Sequence, residues 1–145
     1  MKALFQAGKG FSWVVFWAAT ALVAGCATMG GHNVKVALSG DQEVPPATTS
    51  ASGSGTIAIA SDKSVSGSVT TTGVEGMAAH IHVGSPGKNG PVIIPLTKSG
   101  DNGWSVPAGA KLTDAQYDSF KAGDLYVNVH SAKYKGGEIR GQLKP

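Results

Sequence analysis

The sequence predicts an all-β protein, a Greek-key antiparallel β-sandwich or barrel of about seven to nine strands with one short helix in a connection. Three observations carry this expectation. Short segments of alternating apolar and polar residues recur along the chain, the period of a half-buried strand. They are separated by Gly, Ser, Asn and Asp, which supply the backbone conformations and local hydrogen bonds of tight turns. One stretch alone, Leu112 to Asp124, carries helix-capping chemistry. Internal repeats, charge blocks and heptads are not found.

At the N-terminus, Lys2 and Lys9 precede an uncharged, mostly apolar run from Phe11 to Ala24 and supply the positive end of a signal peptide. That length suits the apolar part of a signal peptide and falls short of the roughly 20 residues of a spanning helix. The run ends in Val23-Ala24-Gly25-Cys26, with small residues before the only cysteine. This resembles a bacterial lipoprotein signal over residues 1–25, in which cleavage leaves Cys26 as a lipidated N-terminus. A lone cysteine has no disulfide partner, which agrees with that role. Ala27 stands where an aspartate often signals inner-membrane retention. The resemblance therefore implies a cell-envelope protein, lipid-anchored in the outer membrane and facing the periplasm or the cell surface, with the membrane as its partner through Cys26.

Loss of Lys2 and Lys9 from the 12 basic residues leaves ten against nine acidic ones, a net charge near +1. The basic character of the full chain is thus largely a property of its leader, and no nucleic-acid partner is expected. The remaining 120 of 145 residues suffice for one small core. Residues 26–33 read as a lipidated tether and residues 34–145 as the domain.

Strands are expected at Val34 to Leu38, Gly55 to Ala60, Ser64 to Thr71, Ala78 to Val83, Val92 to Leu96, Gly103 to Val106, Leu125 to His130 and Glu138 to Leu143. Between the first two, Asp41 to Gly55 is rich in Pro, Ser, Thr and Gly. Pro45 and Pro46 cannot donate to a ladder and belong to an edge, bulge or loop. After the fourth, Pro86-Gly87 and Asn89-Gly90 each offer a tight reversal. No helix opens behind these glycines, which argues against phosphate binding. The helix is expected over Asp114 to Ala122. Thr113 and Gln116 form its capping box, Leu112 and Tyr117 the staple positions, and Gly123 the stop. Tyr117 and Phe120, three apart, cover an end of the core.

Parity then brings candidate ligands together. In Ala79-His80-Ile81-His82-Val83 the apolar residues share one face and the histidines the other. Imidazoles two residues apart on a strand can converge on one ion at about 2 Å. In Leu125 to His130, alternation places Tyr126, Asn128 and His130 on the polar face. In Glu138 to Leu143 it places Glu138, Arg140 and Gln142 there. If these two strands form a hairpin, the register that keeps the apolar faces together pairs Tyr126 with Gln142, Asn128 with Arg140 and His130 with Glu138. Glu138, Arg140 and Asn128 would then support the histidines, with Glu138 accepting an imidazole N–H, or simply pair with one another to fix the register. Met77 has the parity of Ile81 and is expected in the core rather than as a thioether ligand.

Four segments carry a family resemblance: Leu38 to Pro46, "LSGDQEVPP"; Ala79 to Ile93, "AHIHVGSPGKNGPVI"; Leu125 to Ser131, "LYVNVHS"; and Gly136 to Leu143, "GGEIRGQL". In order and spacing they resemble the chordin-type (CHRD) domain, which implies a compact β-rich domain of poorly defined molecular role. A fainter resemblance is to copper,zinc superoxide dismutase, which also has a His-x-His strand in a Greek-key barrel. That likeness implies copper positions at His80, His82 and His130. It departs in having only one further histidine, His32, placed in the tether, and no cysteine pair.

Two functional readings follow. In the first, the domain is a noncatalytic, envelope-anchored binding module that holds copper or zinc through His80, His82 and His130 for metal tolerance, storage or delivery; three neutral imidazoles suit Cu(II) or Zn(II). In the second, it is a structural or adhesive surface domain that binds a protein or a glycan through its loops and holds no metal. A superoxide-processing enzyme is a third and weaker reading. No nucleophile turn or acid/base pair names a reaction, and Asp41 and Glu43 have no evident partner in the sequence.

Overall fold

The computed structural model describes residues 30–145. The expected leader and Cys26 lie outside the described residues. Nine antiparallel strands form one sheet: β1 (Gly31–Ser39), β2 (Ser52–Ala60), β3 (Val65–Thr72), β4 (Gly76–Val83), β5 (Val92–Pro95), β6 (Thr97–Ser99), β7 (Gly103–Ser105), β8 (Leu125–Ser131) and β9 (Ile139–Leu143). Their order is β5-β4-β8-β9-β1-β2-β3-β7-β6. The expected all-β class holds, and every expected strand is present.

The two ends of this sheet are consecutive in the chain. β5 pairs with β4, β6 pairs with β7, and Leu96 links them. The stretch 92–99 therefore lies between β4 and β7 and changes partner half-way. The Leu96 N–H donates to Ala79 O at 2.8 Å, and Lys98 Nζ donates to Gly76 O at 3.0 Å. The sheet is thereby bent into a nearly closed barrel.

One face of each strand except the short, exposed β6 fills the barrel. Val36, Leu38, Ile57, Ile59, Ile81, Val127, Val129, Ile139 and Leu143 are all buried there, with Trp104 and Phe120. The helix α1 (Asp114–Lys121) closes one end by inserting Phe120, which is fully buried. Its start is the expected capping box. Thr113 Oγ1 accepts from the Gln116 N–H at 3.2 Å, and Gln116 Oε1 accepts from the Thr113 N–H at 2.9 Å. Gly123 ends it at a φ of 79°, a conformation that glycine adopts without strain.

Three expectations are corrected. β1 starts at Gly31 and pairs with β2 from there, so residues 31–33, expected in a tether, belong to the sheet. His32 is part of the sheet, and its ring packs edge-on against Phe120. Met77 is 71% exposed rather than in the core. The register of β4 against β8 shifts between Gly76 and Ala78, and such a bulge reverses the parity of the residue it adds. Finally, Ser85 to Lys88 is a true turn, with the Lys88 N–H on Ser85 O at 3.0 Å and Gly87 at a φ of 77°. Asn89-Gly90 is not a second reversal: the chain there runs back along β4 and places Gly90 against the Val83 carbonyl.

Candidate metal centre

β8 is buried on both faces. Its inner residues enter the barrel. Its outer residues, Tyr126, Asn128 and His130, join His80 and His82 of β4 and Arg140 and Gln142 of β9 on the opposite surface. The ladders set this layer. Ala78 pairs with His130, His80 with Asn128 and His82 with Tyr126; Asn128 pairs with Arg140 and Tyr126 with Gln142. The hairpin register read from alternation is the one observed. Two further side chains complete the layer: Glu43, from the Pro-rich segment after β1, and Asn89, just past the turn that follows β4, whose Oδ1 accepts from Arg140 Nη1 at 3.4 Å.

His80, His82 and His130 form a cluster in which one nitrogen from each ring lies within 4.8 Å of the others. Three such atoms share a point within about 2.8 Å of all of them. An inward shift of about 0.7 Å per ring would give ordinary metal-to-imidazole bonds. His80 Nδ1 and His130 Nε2 are 3.0 Å apart.

The protonation pattern follows from what the other nitrogens touch. His82 Nδ1 is 2.9 Å from Gly90 O, and His130 Nδ1 is 2.9 Å from Lys135 O. A carbonyl can only accept, so the neutral form of each ring carries its proton on Nδ1 and presents a bare Nε2. His130 Nε2 then accepts from the His80 Nδ1–H. His82 Nε2 is buried and has no partner. Burial holds the imidazoles of His80 and His82 below their ordinary pKa, and the neighbouring rings add to the effect at His80. Both are therefore neutral at pH 7, the state a metal requires.

The loop that carries Gly90 is held from beneath. The Arg140 guanidinium lies 3.4 Å over the Tyr126 ring, and His82 stacks on the same ring at 4.6 Å and 5°. Arg140 Nη2 donates to Ser85 O at 3.2 Å and Lys88 O at 2.9 Å. Gln142 Nε2 donates to Gly84 O at 2.8 Å. The Tyr126 hydroxyl accepts from the Gly90 N–H at 3.2 Å. Arg140 and Gln142 thus act on His82 through the loop, and Tyr126 acts on it directly.

Of the residues expected to support the histidines, Asn128 lies opposite His80 and Arg140 lies one strand further on. Glu138 is placed differently. Its Oε1 accepts from Thr49 Oγ1 at 2.7 Å, and the Nδ1–H groups of His82 and His130 go to main-chain oxygens. The cause is local. Gly137 takes a φ of 133° and the Glu138 N–H bonds to Val129 O, so β9 begins only at Ile139 and the carboxylate turns away from the ladder.

Glu43 was not anticipated. It is 3% exposed, and burial raises its pKa from 4.5 to about 7 against the opposing pull of Arg140 and Asn128. Gly137 packs so closely on Glu43 Oε1 and Asn128 Nδ2 that no side chain fits there. Nothing in the periodicity announces this contact. The only sign was that "DQEVPP" belongs to the segments that resemble a known family.

Comparison with known proteins agrees with that sign. The model of the CHRD domain matches residues 34–143. The chain belongs to the CHRD-domain family. The match spans β1 to β9 and includes every residue of the polar layer. No curated protein and no solved structure matches the chain.

Proposed function

We propose that this CHRD domain is a noncatalytic binding module that holds one copper or zinc ion on His80, His82 and His130, anchored in the cell envelope through a lipid on Cys26. The observation that supports the metal is the orientation of the rings. Main-chain carbonyls fix two tautomers so that bare nitrogens face a common point, and one of them, His82 Nε2, is buried without a partner. A buried histidine with a merely structural role would use both nitrogens, and His82 does not. The module would serve metal tolerance, storage or delivery. The fourth histidine, His32, lies against Phe120 and outside the cluster, which gives no support to a two-metal centre of the dismutase type.

Titration of the purified full chain in nonionic detergent with Cu(II) and Zn(II) tests the metal. One equivalent should bind, with nitrogen splittings in the copper EPR spectrum that are lost in the His80→Ala, His82→Ala and His130→Ala variants. Protons compete for the ligand nitrogens, so affinity should fall with pH, beginning below the ordinary imidazole value of about 6.5 because burial lowers His80 and His82. Binding no tighter than about millimolar, or binding that survives all three substitutions, would refute the reading and leave the loop-mediated protein or glycan reading. For the anchor, a Cys26→Ser variant should lose its lipid label and leave the membrane fraction; a variant that stays lipidated would refute it.

A further inference from the structure

Among the described residues, three buried side-chain polar atoms have no hydrogen-bond partner: Glu43 Oε1, His82 Nε2 and Asn128 Oδ1. All belong to the one polar layer. His82 Nε2 is accounted for by the metal reading. Asn128 Oδ1 is not, and leaving a buried amide oxygen unpaired costs about 1–3 kcal/mol.

The orientation of this amide is determined by its surroundings. Asn128 Nδ2 lies toward the Glu43 carboxyl, where both crowd Gly137, and it donates a long bond of 3.5 Å to Gly136 O. The Gly136 carbonyl and the ionised Glu43 carboxylate can only accept, so the NH2 end belongs on that side. The oxygen is thereby turned away from Glu43. Of its neighbours on the two flanking strands, Arg140 on β9 and His80 on β4, the histidine side is the one it can serve: the Asn128 side chain is close enough to influence the His82 imidazole without bonding to it. An acceptor on a 2% exposed residue thus lies beside the histidine cluster.

Coordination number supplies the second argument. Zn(II) takes four ligands, and Cu(II) prefers tetragonal sites. The cluster offers three protein nitrogens. An amide oxygen is a poor ligand for these ions next to imidazole, but a good acceptor for the O–H of a metal-bound water.

We infer that the metal held by the three histidines keeps one exchangeable position, filled by a water molecule that donates a hydrogen bond to Asn128 Oδ1 and is replaceable by a small anion. Asn128 is then a positioning residue for that water, and Glu43 acts one step back by holding the amide the right way round. The inference rests on the metal reading and extends it: the centre is open to a small ligand rather than closed like a structural zinc site.

Azide is the probe, added to the full chain loaded with one equivalent of Cu(II). In the wild-type protein an azide-to-copper charge-transfer band should appear, and exchangeable proton couplings at the copper, present in H2O and absent in D2O, should vanish with it. Azide cannot donate to Asn128 Oδ1 as water does. In the Asn128→Leu variant the water therefore loses its advantage, and azide affinity should rise about tenfold, the worth of one hydrogen bond, while Cu(II) affinity changes less than threefold. Should Asn128→Leu fail to fold, the wild-type couplings and azide titration decide alone. Copper bound by three histidines with no azide band and no exchangeable coupling would overturn the open position while leaving the metal reading intact. So would an Asn128→Leu variant with unchanged azide affinity, for the role of Asn128. Absence of copper binding would overturn both readings together.

Discussion

Replacing Glu43 with glutamine should change how the stability of the domain depends on pH. Glu43 is nearly inaccessible, and burial holds its carboxyl at a pKa of about 7 in the folded chain against 4.5 when exposed. Between these values the folded state binds more protons than the unfolded state, so stability falls as pH rises through the window and the loss is complete above about 7. At roughly 1.4 kcal/mol per pH unit the gap corresponds to at most about 3 kcal/mol. Glu43 also borders a groove lined by Pro46 and Pro86, and solvent in it screens the charge, which brings the expected effect to about 1–2 kcal/mol. His80 and His82 act in the opposite direction. Their lowered pKa values make the folded state the weaker proton binder, so their contribution rises with pH. The informative quantity is therefore the difference between Glu43→Gln and wild type, in which the histidines cancel. Urea unfolding followed by near-ultraviolet circular dichroism from pH 4 to 8 would measure it. The variant should match wild type at pH 4.5 and exceed it by about 1–2 kcal/mol at pH 8, with an unchanged denaturant slope. Two parallel curves would refute the argument, because a constant offset means that Glu43 does not titrate differently in the folded chain.

Two further outcomes follow from the polar layer and from the β4 bulge. Arg140→Lys keeps the charge but loses the fork that bonds Ser85 O and Lys88 O and the flat contact with Tyr126; it should destabilise the domain by about 3 kcal/mol in the same unfolding assay and speed hydrogen exchange at the Gly90 amide. Met77→Ser should alter stability by less than about 0.5 kcal/mol, as an exposed site does; a loss of about 2 kcal/mol or more, typical of a core methionine, would mean that Met77 packs inward after all.

Much of this arrangement was legible in the alternation of residues. The two-residue period is enough to put His80, His82 and His130 on one face, because a strand offers only two. The β8–β9 register could be read for the same reason: a slip by one would bury Arg140 in the barrel and expose Ile139. Parity fails where the period is broken. One added residue before Ala78 turns Met77 outward, and the positive φ of Gly137 turns the Glu138 carboxylate to Thr49. What alternation cannot convey is a contact between a strand and a distant loop. Glu43 reaches Asn128 from 85 positions away in the chain, and the groups that orient the imidazoles are main-chain oxygens, which have no letter in a sequence.

That last fact determines how this site can be lost over time. The Lys135 oxygen is present whatever side chain stands there, so single substitutions cannot delete it, whereas Gly90 must stay glycine because a Cβ there would meet the Val83 carbonyl. A scan that replaces one residue at a time would register the rings, Gly90 and the side chains that hold its loop, and pass over Lys135. Insertion or deletion of a residue in the loop after β4 or β8 would move its carbonyl and release the imidazole that it aims. In divergent copies of the domain, the length of these two loops is then a marker of an intact centre alongside the histidines themselves.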